Sequence, residues 1–259
     1  MPEGSALEEL VKKLPGAEVD EDGKITINGK EIKKIMIDGK EFFADDPNIA
    51  MKNLPVNIID KVRAYDKQSD LARVTGIDDG EEETVLDLSV KPGMNKGWFG
   101  NADVAAGTED RYSGKVMLNR FIGENQFTVI GSMNNVNDNG YPGGGGGFRW
   151  GGQNGLTSIK MGGFNFSTQS EKLETGGSVN YNYKDADIIS KQASETFVSS
   201  ATSSFKNAQN ANRNKTTSLT ADFRIEWKPD TMTTVIFRPR LTYGKNDNRS
   251  ATNSFTFSQ

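Results

Sequence analysis

Four side chains near the middle of this sequence have the chemistry of a ligand-binding loop. They combine aromatic rings with one guanidinium group and flank the five glycines Gly143–Gly147; they are Tyr141, Phe148, Arg149 and Trp150. A phosphate-binding loop would need a Lys followed by Ser or Thr among the glycines, and this stretch has neither. We therefore expect a flexible loop that stacks a sugar or a peptide, and the alternative is a mobile loop without a dedicated ligand.

A second set of side chains is charged and occurs at alternate positions. Asp222, Arg224 and Glu226 alternate with apolar residues along one segment, and Arg238 and Arg240 do so along the next. Alternation with a period of two indicates strands, so these charges share one face and the apolar residues share the other. A loop of Pro229–Thr231 would join the two strands as a hairpin, pairing Phe223 with Phe237 and Asp222 with Arg238.

The composition excludes several kinds of chemistry. The chain has no Cys and no His, so disulfides, Cys or His metal sites and nucleophile–His pairs are absent from it. The acidic run Asp78–Glu83 lacks the ligand spacing of a calcium loop and is expected to be a solvated turn. Basic residues are scattered without interleaved aromatics, which argues against nucleic acid as a partner. We expect no enzyme activity, no metal and no cofactor.

The polar stretch Asn207–Asn214, which includes Arg213, is a further candidate site. Its composition resembles a sugar-binding patch, although polar loops outside cells commonly have the same composition.

From Gly97 onward, long alternating segments are expected to hold the candidate residues in place. They predict seven or eight strands, with a bulge at Gly162-Gly163, where the apolar residues switch from one face to the other. Short connections alternate with two long polar insertions, 134–157 and 185–215. Outer-membrane barrels have short turns at one end and long loops at the other. This sorting predicts that both long insertions lie outside the cell.

The low apolar content can be explained in two ways. Apolar residues make up 34% of the chain and the mean hydropathy is −0.61, as expected for a disordered chain or for a barrel with a polar interior. Clean alternation over ten-residue segments favours the barrel. Because an Arg facing lipid costs roughly 2–4 kcal/mol near the midplane, we expect Asp222, Arg224, Glu226, Arg238 and Arg240 to face the lumen. The apolar face, with Trp98, Trp227 and Tyr243 near strand ends, would then meet lipid.

The first 92 residues differ from the rest in charge and in pattern. Residues 1–92 carry 13 basic and 21 acidic residues, whereas residues 93–259 carry 18 and 14. Short strands separated by Asn28-Gly29 and Asp38-Gly39, together with short helices, predict a small α+β domain. The expected architecture is therefore an α+β domain over 1–92 followed by antiparallel barrel strands over 93–259.

Several stretches of the sequence resemble a known family. Those over 6–19, 27–32, 37–43, 65–67 and 76–83 are similar to the plug of TonB-dependent receptor-like outer-membrane β-barrel proteins of the Bacteroides type, and 97–101 and 223–230 resemble their first barrel strands. The resemblance implies a plug inside a barrel of about 22 strands. It also implies a nutrient ligand, a place in the outer membrane with the plug facing the periplasm, and a TonB-type energy-coupling protein as partner.

The leading interpretation is a receptor or transporter that captures a ligand at outer loops and admits it through a plugged barrel. No coupling segment precedes the first helix, which argues against energy-driven transport. Only seven or eight strands are present and Ser254–Gln259 falls in mid-sheet, so we expect a fragment of a longer protein. Two alternatives stay open: a soluble or surface-attached β-rich binding protein, and a structural outer-membrane protein without a passage.

Overall fold

The chain folds mostly into antiparallel β-strands with few helices, as seen in a computed structural model. The structure describes residues 7–20, 24–43, 47, 50–51, 54, 56–94, 96–137, 155–199 and 202–258. No helix in these ranges is long and apolar enough to cross a membrane.

Two short helices and fifteen strands are named here in chain order. Helix α1 spans Leu7–Val11 and helix α2 spans Asp70–Thr75. The strands before residue 91 are β1 Ala17–Val19, β2 Ile25–Ile27, β3 Lys30–Glu31, β4 Lys34–Ile37, β5 Lys40–Glu41, β6 Ile59–Gln68 and β7 Glu82–Val90. The later strands are β8 Lys96–Ala106, β9 Tyr112–Ile122, β10 Asn125–Asn134, β11 Leu156–Gln169, β12 Leu173–Ser199, β13 Thr202–Trp227, β14 Val235–Phe237 and β15 Arg240–Ser258.

The described residues from 7 to 90, called the N-terminal segment below, form two small sheets. One has the order β1-β2-β3, and the other has the order β5-β4-β7-β6 with β4 and β7 parallel. The tight turns Asn28-Gly29 and Asp38-Gly39 have positive φ at both residues, as the sequence predicts for hairpin turns. Asp78–Glu81 form an exposed connection, and Glu82 and Glu83 begin β7, so the expectation of a solvated turn is confirmed only for the first four residues of the acidic run.

The N-terminal segment has an apolar core of the usual kind. Leu7 and Val11 of α1 are buried against β-strand residues and the Phe42–Phe43 pair, whose rings meet edge to face at 5.0 Å. The same cluster continues into the later strands through Met117, Phe121 and Ile130, so the segment packs on the large sheet.

Strands β8 to β15 form one large antiparallel sheet. Its order is β8 to β14 in sequence, and β15 pairs with β13 beyond β14 along the same edge. This matches the expected seven or eight strands, but the sheet is open, with β8 at one edge and β14 and β15 at the other. Pro239 interrupts the last strand without changing its register, because Phe237 and Arg240 keep to one pairing line on β13.

Three details of the predicted sheet are wrong. Residues 185–199 and 202–215 are not a loop; their backbone groups continue the β12–β13 ladder as two long antiparallel strands of mostly polar residues. The expected bulge at Gly162-Gly163 is absent, because β11 keeps one register with both neighbours. A Cβ at Gly163 would lie 2.7 Å from Ile130 Cγ1, so this glycine makes room for packing.

The predicted register of the 227–235 hairpin is also wrong by two residues. Phe237 pairs with Ile225, and Asp222 pairs with Arg240. The turn is longer than expected because the Asp230 carboxylate accepts hydrogen bonds from the backbone N–H groups of Met232 and Thr233, at 2.9 and 2.7 Å. An even shift preserves the faces, so Phe223 and Phe237 stay on the same side.

Candidate functional site

The large sheet buries its polar face and exposes its apolar face. On β10, Thr128 and Asn134 are fully buried, whereas Val129 and Met133 are about half exposed. On β9, Asn119 is fully buried, whereas the alternate residues Val116, Leu118 and Ile122 are exposed. A sheet in a soluble protein normally has the opposite arrangement. The buried side is called the polar face below, and the other is called the apolar face.

Neutral hydrogen bonds attach the N-terminal segment to the polar face at β10 and β11. The Phe43 N–H donates to Asn165 Oδ1 at 3.1 Å, and Gln126 Nε2 donates to the Ile37 carbonyl at 3.4 Å. At the β9–β10 turn, the buried Lys40 ammonium donates to the Glu124 carboxylate at 2.6 Å and to its carbonyl at 2.8 Å. Polar residues of the sheet thus satisfy backbone groups of the segment.

A cluster of charges attaches the segment at β12 to β14. This cluster, called the charged junction, joins β5 and α2 of the segment to the large sheet and contains Glu41, Asp70, Arg73, Glu174, Arg224, Glu226, Lys228 and Arg238.

Glu226 lies at the centre of the charged junction, with only 2% of its side chain exposed. Arg73 of α2 donates to both carboxylate oxygens, at 3.1 and 2.7 Å, and Lys228 donates at 2.9 Å. Arg224, two residues earlier on the same face, also donates to this carboxylate. Three cations compensate the cost of burying one carboxylate, which would be several kcal/mol for an isolated charge.

Asp70 bridges two arginines that lie opposite each other on neighbouring strands. The strand register places Arg224 opposite Arg238. Asp70 Oδ1 lies 3.2 Å from Arg224 Nη2, and Asp70 Oδ2 lies 2.9 Å from Arg238 Nε. Burial raises the pKa of Asp70, but the hydrogen bond from Arg224 and the charges of Arg238 and Arg73 outweigh it, so the pKa lies below its usual range. This carboxylate therefore stays ionised at neutral pH.

Glu41 plays a similar role at the end of β5. Its carboxylate lies 3.0 Å from Arg238, 3.5 Å from Lys67 and 3.7 Å from Lys34. Burial raises the pKa of Glu41, and the positive charges of Lys34, Arg238 and Lys67 lower it by more, so the net shift is downward. Arg238 thus bridges β5 and α2 to the edge of the large sheet.

Local capping explains why the chain forms α2 at this place. The Ser69 hydroxyl accepts a hydrogen bond from Ala72 N at 3.0 Å, and Gly76 ends the helix with φ of 70° while its N–H donates to the Ala72 carbonyl. These are standard N- and C-terminal caps. The helix then presents Asp70 and Arg73, three residues apart, to the sheet.

A small cleft lies beside the charged junction, between β4–β5 and the polar face of β11 to β13. Its volume is about 30 Å³, which is space for about two water molecules. Three buried polar atoms at its wall have no hydrogen-bond partner among the described residues: Asn165 Nδ2, Ser178 Oγ and Arg224 Nε. Because these atoms need hydrogen bonds, water suits the cleft in size and polarity, whereas a nutrient molecule would not fit.

The charged junction is built for attachment. Each of its carboxylates contacts at least one cation, an arrangement that fixes two bodies in one orientation at the cost of desolvating the charges. Among the described residues, no group of three or more Asp or Glu side chains is arranged to hold a metal ion.

The sequence-predicted site residues fall into two groups. Tyr141, Phe148, Arg149 and Trp150 lie outside the described residues. Arg224, Glu226 and Arg238 lie together in the charged junction, and Asp222 lines the cleft and pairs in register with Arg240. Glu226 contacts Arg224, and the expected Asp222–Arg238 pairing is replaced by Asp222–Arg240. The location of these charges in a lumen stays a prediction.

Sequence reasoning missed the partners from the N-terminal segment, namely Glu41, Asp70 and Arg73. Arg73 and Glu226 are 153 residues apart in the sequence, and no local sequence pattern predicts a contact between residues at that separation. The sequence does carry a signal for α2, since Ser69 and Gly76 have the types and spacing of helix caps.

The apolar face has aromatic residues at both ends. At the end with the short turns, Trp98 and Trp227 are 64% and 50% exposed, and the Arg120 guanidinium lies 5.0 Å from the Trp98 ring centre. At the opposite end, Tyr112, Tyr181 and Tyr243 are also exposed. The exposed apolar residues between them include Val116, Leu118, Val129, Phe164, Ile225 and Leu241.

Comparisons with known proteins give little guidance. No family model and no curated protein matches the sequence. Among solved structures, P. aeruginosa FpvA in its complex with a heterologous pyoverdine and iron is similar, with 10% sequence identity and a TM-score of 0.27. The match covers 97% of this chain and 41% of that chain. A likeness at this TM-score carries no inference about function.

Proposed function

We propose that this chain belongs to an outer-membrane receptor or transporter in which the large sheet crosses the membrane and residues 1–92 act as a plug. One observation carries the proposal: the sheet buries a polar face and leaves an apolar face exposed. Burying apolar area contributes about 25 cal/mol per Å², so such a face is unfavourable in water and favourable in lipid.

The dimensions of the apolar face support a membrane-spanning sheet. A strand of about 9 to 11 residues crosses the hydrocarbon core when tilted by about 45°. Strands β8 and β9 have 11 residues each, and β10 has 10. On β12, the apolar positions run from Leu173 to Tyr181, and the charged Asp185 follows on the same face. Aromatic side chains at both ends suit the two membrane interfaces.

The N-terminal segment has the position of a plug in this proposal. It packs on the polar face, which would line the barrel interior. Its attachment combines apolar packing on Met117, Phe121 and Ile130 with polar contacts at β10–β11 and the charged junction. Ligand capture at outer loops would be followed by movement of the segment to open a polar passage. A TonB-type coupling protein would supply the energy, and a nutrient would be the ligand.

Quenching by brominated lipid tests the membrane placement. In a Trp150→Phe background, the remaining tryptophans are Trp98 and Trp227, both exposed on the apolar face. We expect lipids brominated on their acyl chains to quench the fluorescence of vesicle-reconstituted protein strongly, and unbrominated lipids to leave it unchanged. Absence of quenching, together with a monodisperse monomer in plain buffer, would contradict the proposal and favour a soluble or surface-attached binding protein.

A structural outer-membrane protein without a passage would pass the quenching test. Because the sheet is open in the described residues, the two roles are distinguished by solute entry into vesicles that hold the longer outer-membrane protein to which we propose the chain belongs. The proposal expects entry only after the segment is released, for instance in an Asp70→Asn/Glu41→Gln variant. A vesicle that admits no small solute in either form would support the structural role.

A further inference from the structure

Strands β12, β13 and β15 continue beyond the apolar face as a three-stranded ribbon, defined here as residues 186–196, 204–214 and 248–257. Its pairing is continuous with that of the sheet, so side chains on its two faces follow the same alternation. The polar stretch Asn207–Asn214 lies on the middle strand. Asn210, Asn212 and Asn214 therefore lie on the side of the polar face, whereas Asn207, Gln209 and Arg213 lie on the other side.

A groove of about 250 Å³ lies on the polar-face side of this ribbon. Seven side chains from the three strands line it: Gln192, Ser194, Lys206, Ala208, Asn210, Thr252 and Ser254. Gln192, Ala208 and Ser254 are neighbours in register, and the small Ala208 in the middle leaves the depression between longer side chains.

The lining selects one class of ligand. It contains one cation, no carboxylate and no aromatic ring, so it offers little to a strongly charged ligand or to nucleic-acid bases. Ala208 is the only apolar side chain, which disfavours an apolar ligand. An extended peptide would be recognised at a strand edge, whereas β13 at the centre of the ribbon has its backbone paired on both sides. Amides and hydroxyls on a shallow surface suit a ligand with many hydroxyl groups.

A second observation points the same way. Two buried side-chain carbonyl oxygens next to the groove have no hydrogen-bond donor in the described part of the chain: Asn212 and Asn214 Oδ1. Both lie on the polar-face side, where they follow Asn210 of the groove at alternate positions of β13. Buried acceptors without donors are rare in folded proteins. They call for O–H or N–H groups from water or from a ligand.

We propose that this groove binds a neutral, hydroxyl-rich chain, an oligosaccharide, held by Gln192 and Asn210 with Thr252 and Ser254 as hydroxyl partners. The inference rests on the proposed function in taking the ribbon as a capture surface outside the membrane. Binding itself needs only the folded chain, so it can be measured in detergent.

Calorimetric titration of the full chain with defined sugars tests the proposal. The probes are three neutral hexasaccharides with different linkages, namely maltohexaose, cellohexaose and laminarihexaose, and the acidic hexagalacturonate. We expect saturable binding of at least one neutral probe, with no binding of the acidic one. A Gln192→Ala/Asn210→Ala variant should bind that probe about tenfold more weakly, because two hydrogen bonds are lost. The matched variant Gln209→Ala/Asn253→Ala changes the opposite face of the same ribbon and should change the affinity less than twofold.

Three results would overturn the inference: no saturable binding of any neutral probe, equal binding of hexagalacturonate, or equal losses in the two variants. These are separable from a failure of the proposed function. Groove-specific binding without quenching by brominated lipid would refute the membrane placement alone, whereas quenching without sugar binding would refute the groove alone.

Discussion

The N-terminal segment and the large sheet bury opposite kinds of side chain. In the segment, Phe42, Ile35 and Leu86 are fully buried, as in any soluble protein. In the sheet, Asn119, Thr128 and Asn134 are fully buried, and residues such as Val129 are exposed. Alternation therefore defines the faces of a strand, and the surroundings decide which face is buried.

The two regions also differ in how they are held together. The segment is held by an apolar core, and the sheet is held by continuous backbone ladders of up to 26 residues in β13. Between them, neutral polar contacts and the charged junction replace apolar packing over much of the interface. We expect substitutions to have different consequences in the three places.

The largest effect is expected in the core of the segment. Phe42→Ala removes a fully buried ring and should lower the free energy of unfolding by about 3–5 kcal/mol. Urea titration in detergent, followed by circular dichroism, measures this loss. Phe255→Ala removes a ring that is 76% exposed and should cost less than about 0.5 kcal/mol. Similar losses for both variants would mean that the segment has no core of its own.

A charge on the apolar face should have the next largest effect, and only in lipid. Val129→Arg should cost about 2–4 kcal/mol for folding into vesicles, because the charge would lie near the bilayer midplane. Ile189→Arg introduces the same group at an exposed position beyond Tyr181 and Asp185 and should cost less than about 1 kcal/mol. Urea titrations in vesicles measure the loss of folding free energy for each variant. Equal losses would contradict the placement of Val129 in the bilayer.

Removal of the Asp70 charge should have a moderate effect on the attachment of the segment. Asp70→Asn leaves Arg224 and Arg238 opposite each other without their shared carboxylate, and we expect a loss of about 1–3 kcal/mol. Protease cleavage within the segment, followed over a urea series, reports this loss. The exposed Asp60→Asn is the control and should be neutral within about 0.5 kcal/mol. If Asp70→Asn left the stability unchanged, Glu41 and Glu226 would be sufficient to attach the segment to the sheet.

Mild acid should have the smallest effect. The pKa values of Glu41 and Asp70 are lowered in the folded protein, so their stabilising contribution is complete above the unfolded pKa of about 4 and is lost as the pH falls through the folded values. The protease assay should therefore give the same result from pH 8 to pH 5, with release of the segment beginning only below about pH 4. Release between pH 7 and pH 5 would contradict this assignment.

The local rules of the sequence predicted much of the fold. The paired turns Asn28-Gly29 and Asp38-Gly39, the short turn after Ile122 and most strands from Gly97 onward follow from turn chemistry and period-two alternation. The lengths of β12 and β13 were underestimated because their polar residues were interpreted as a loop. The backbone hydrogen bonds of a hairpin do not depend on apolar side chains, so polar residues can continue the strands.

The charged junction could be predicted only in part. Alternation on β13 placed Arg224 and Glu226 on one face, but the turn built by Asp230 shifted the pairing of Asp222 from Arg238 to Arg240. The carboxylates Glu41 and Asp70 come from elements far away in sequence. Contacts of this kind depend on how the N-terminal segment packs on the large sheet. The spacing of residues in the sequence does not predict that packing.

The separation of Arg73 and Glu226 along the chain has a consequence for the order of folding. The N-terminal segment is synthesised first and can bury its own apolar core, whereas its partners on β12 to β14 follow 100 residues or more later. Contacts between distant residues form late because closing a long loop costs chain entropy. We expect the segment to be a template that exists before the sheet, around which hairpins such as β12–β13 assemble one at a time. Asp70 and Arg73 of α2 would then favour the correct strand, because they form ion pairs with Arg224 and Glu226 of β13.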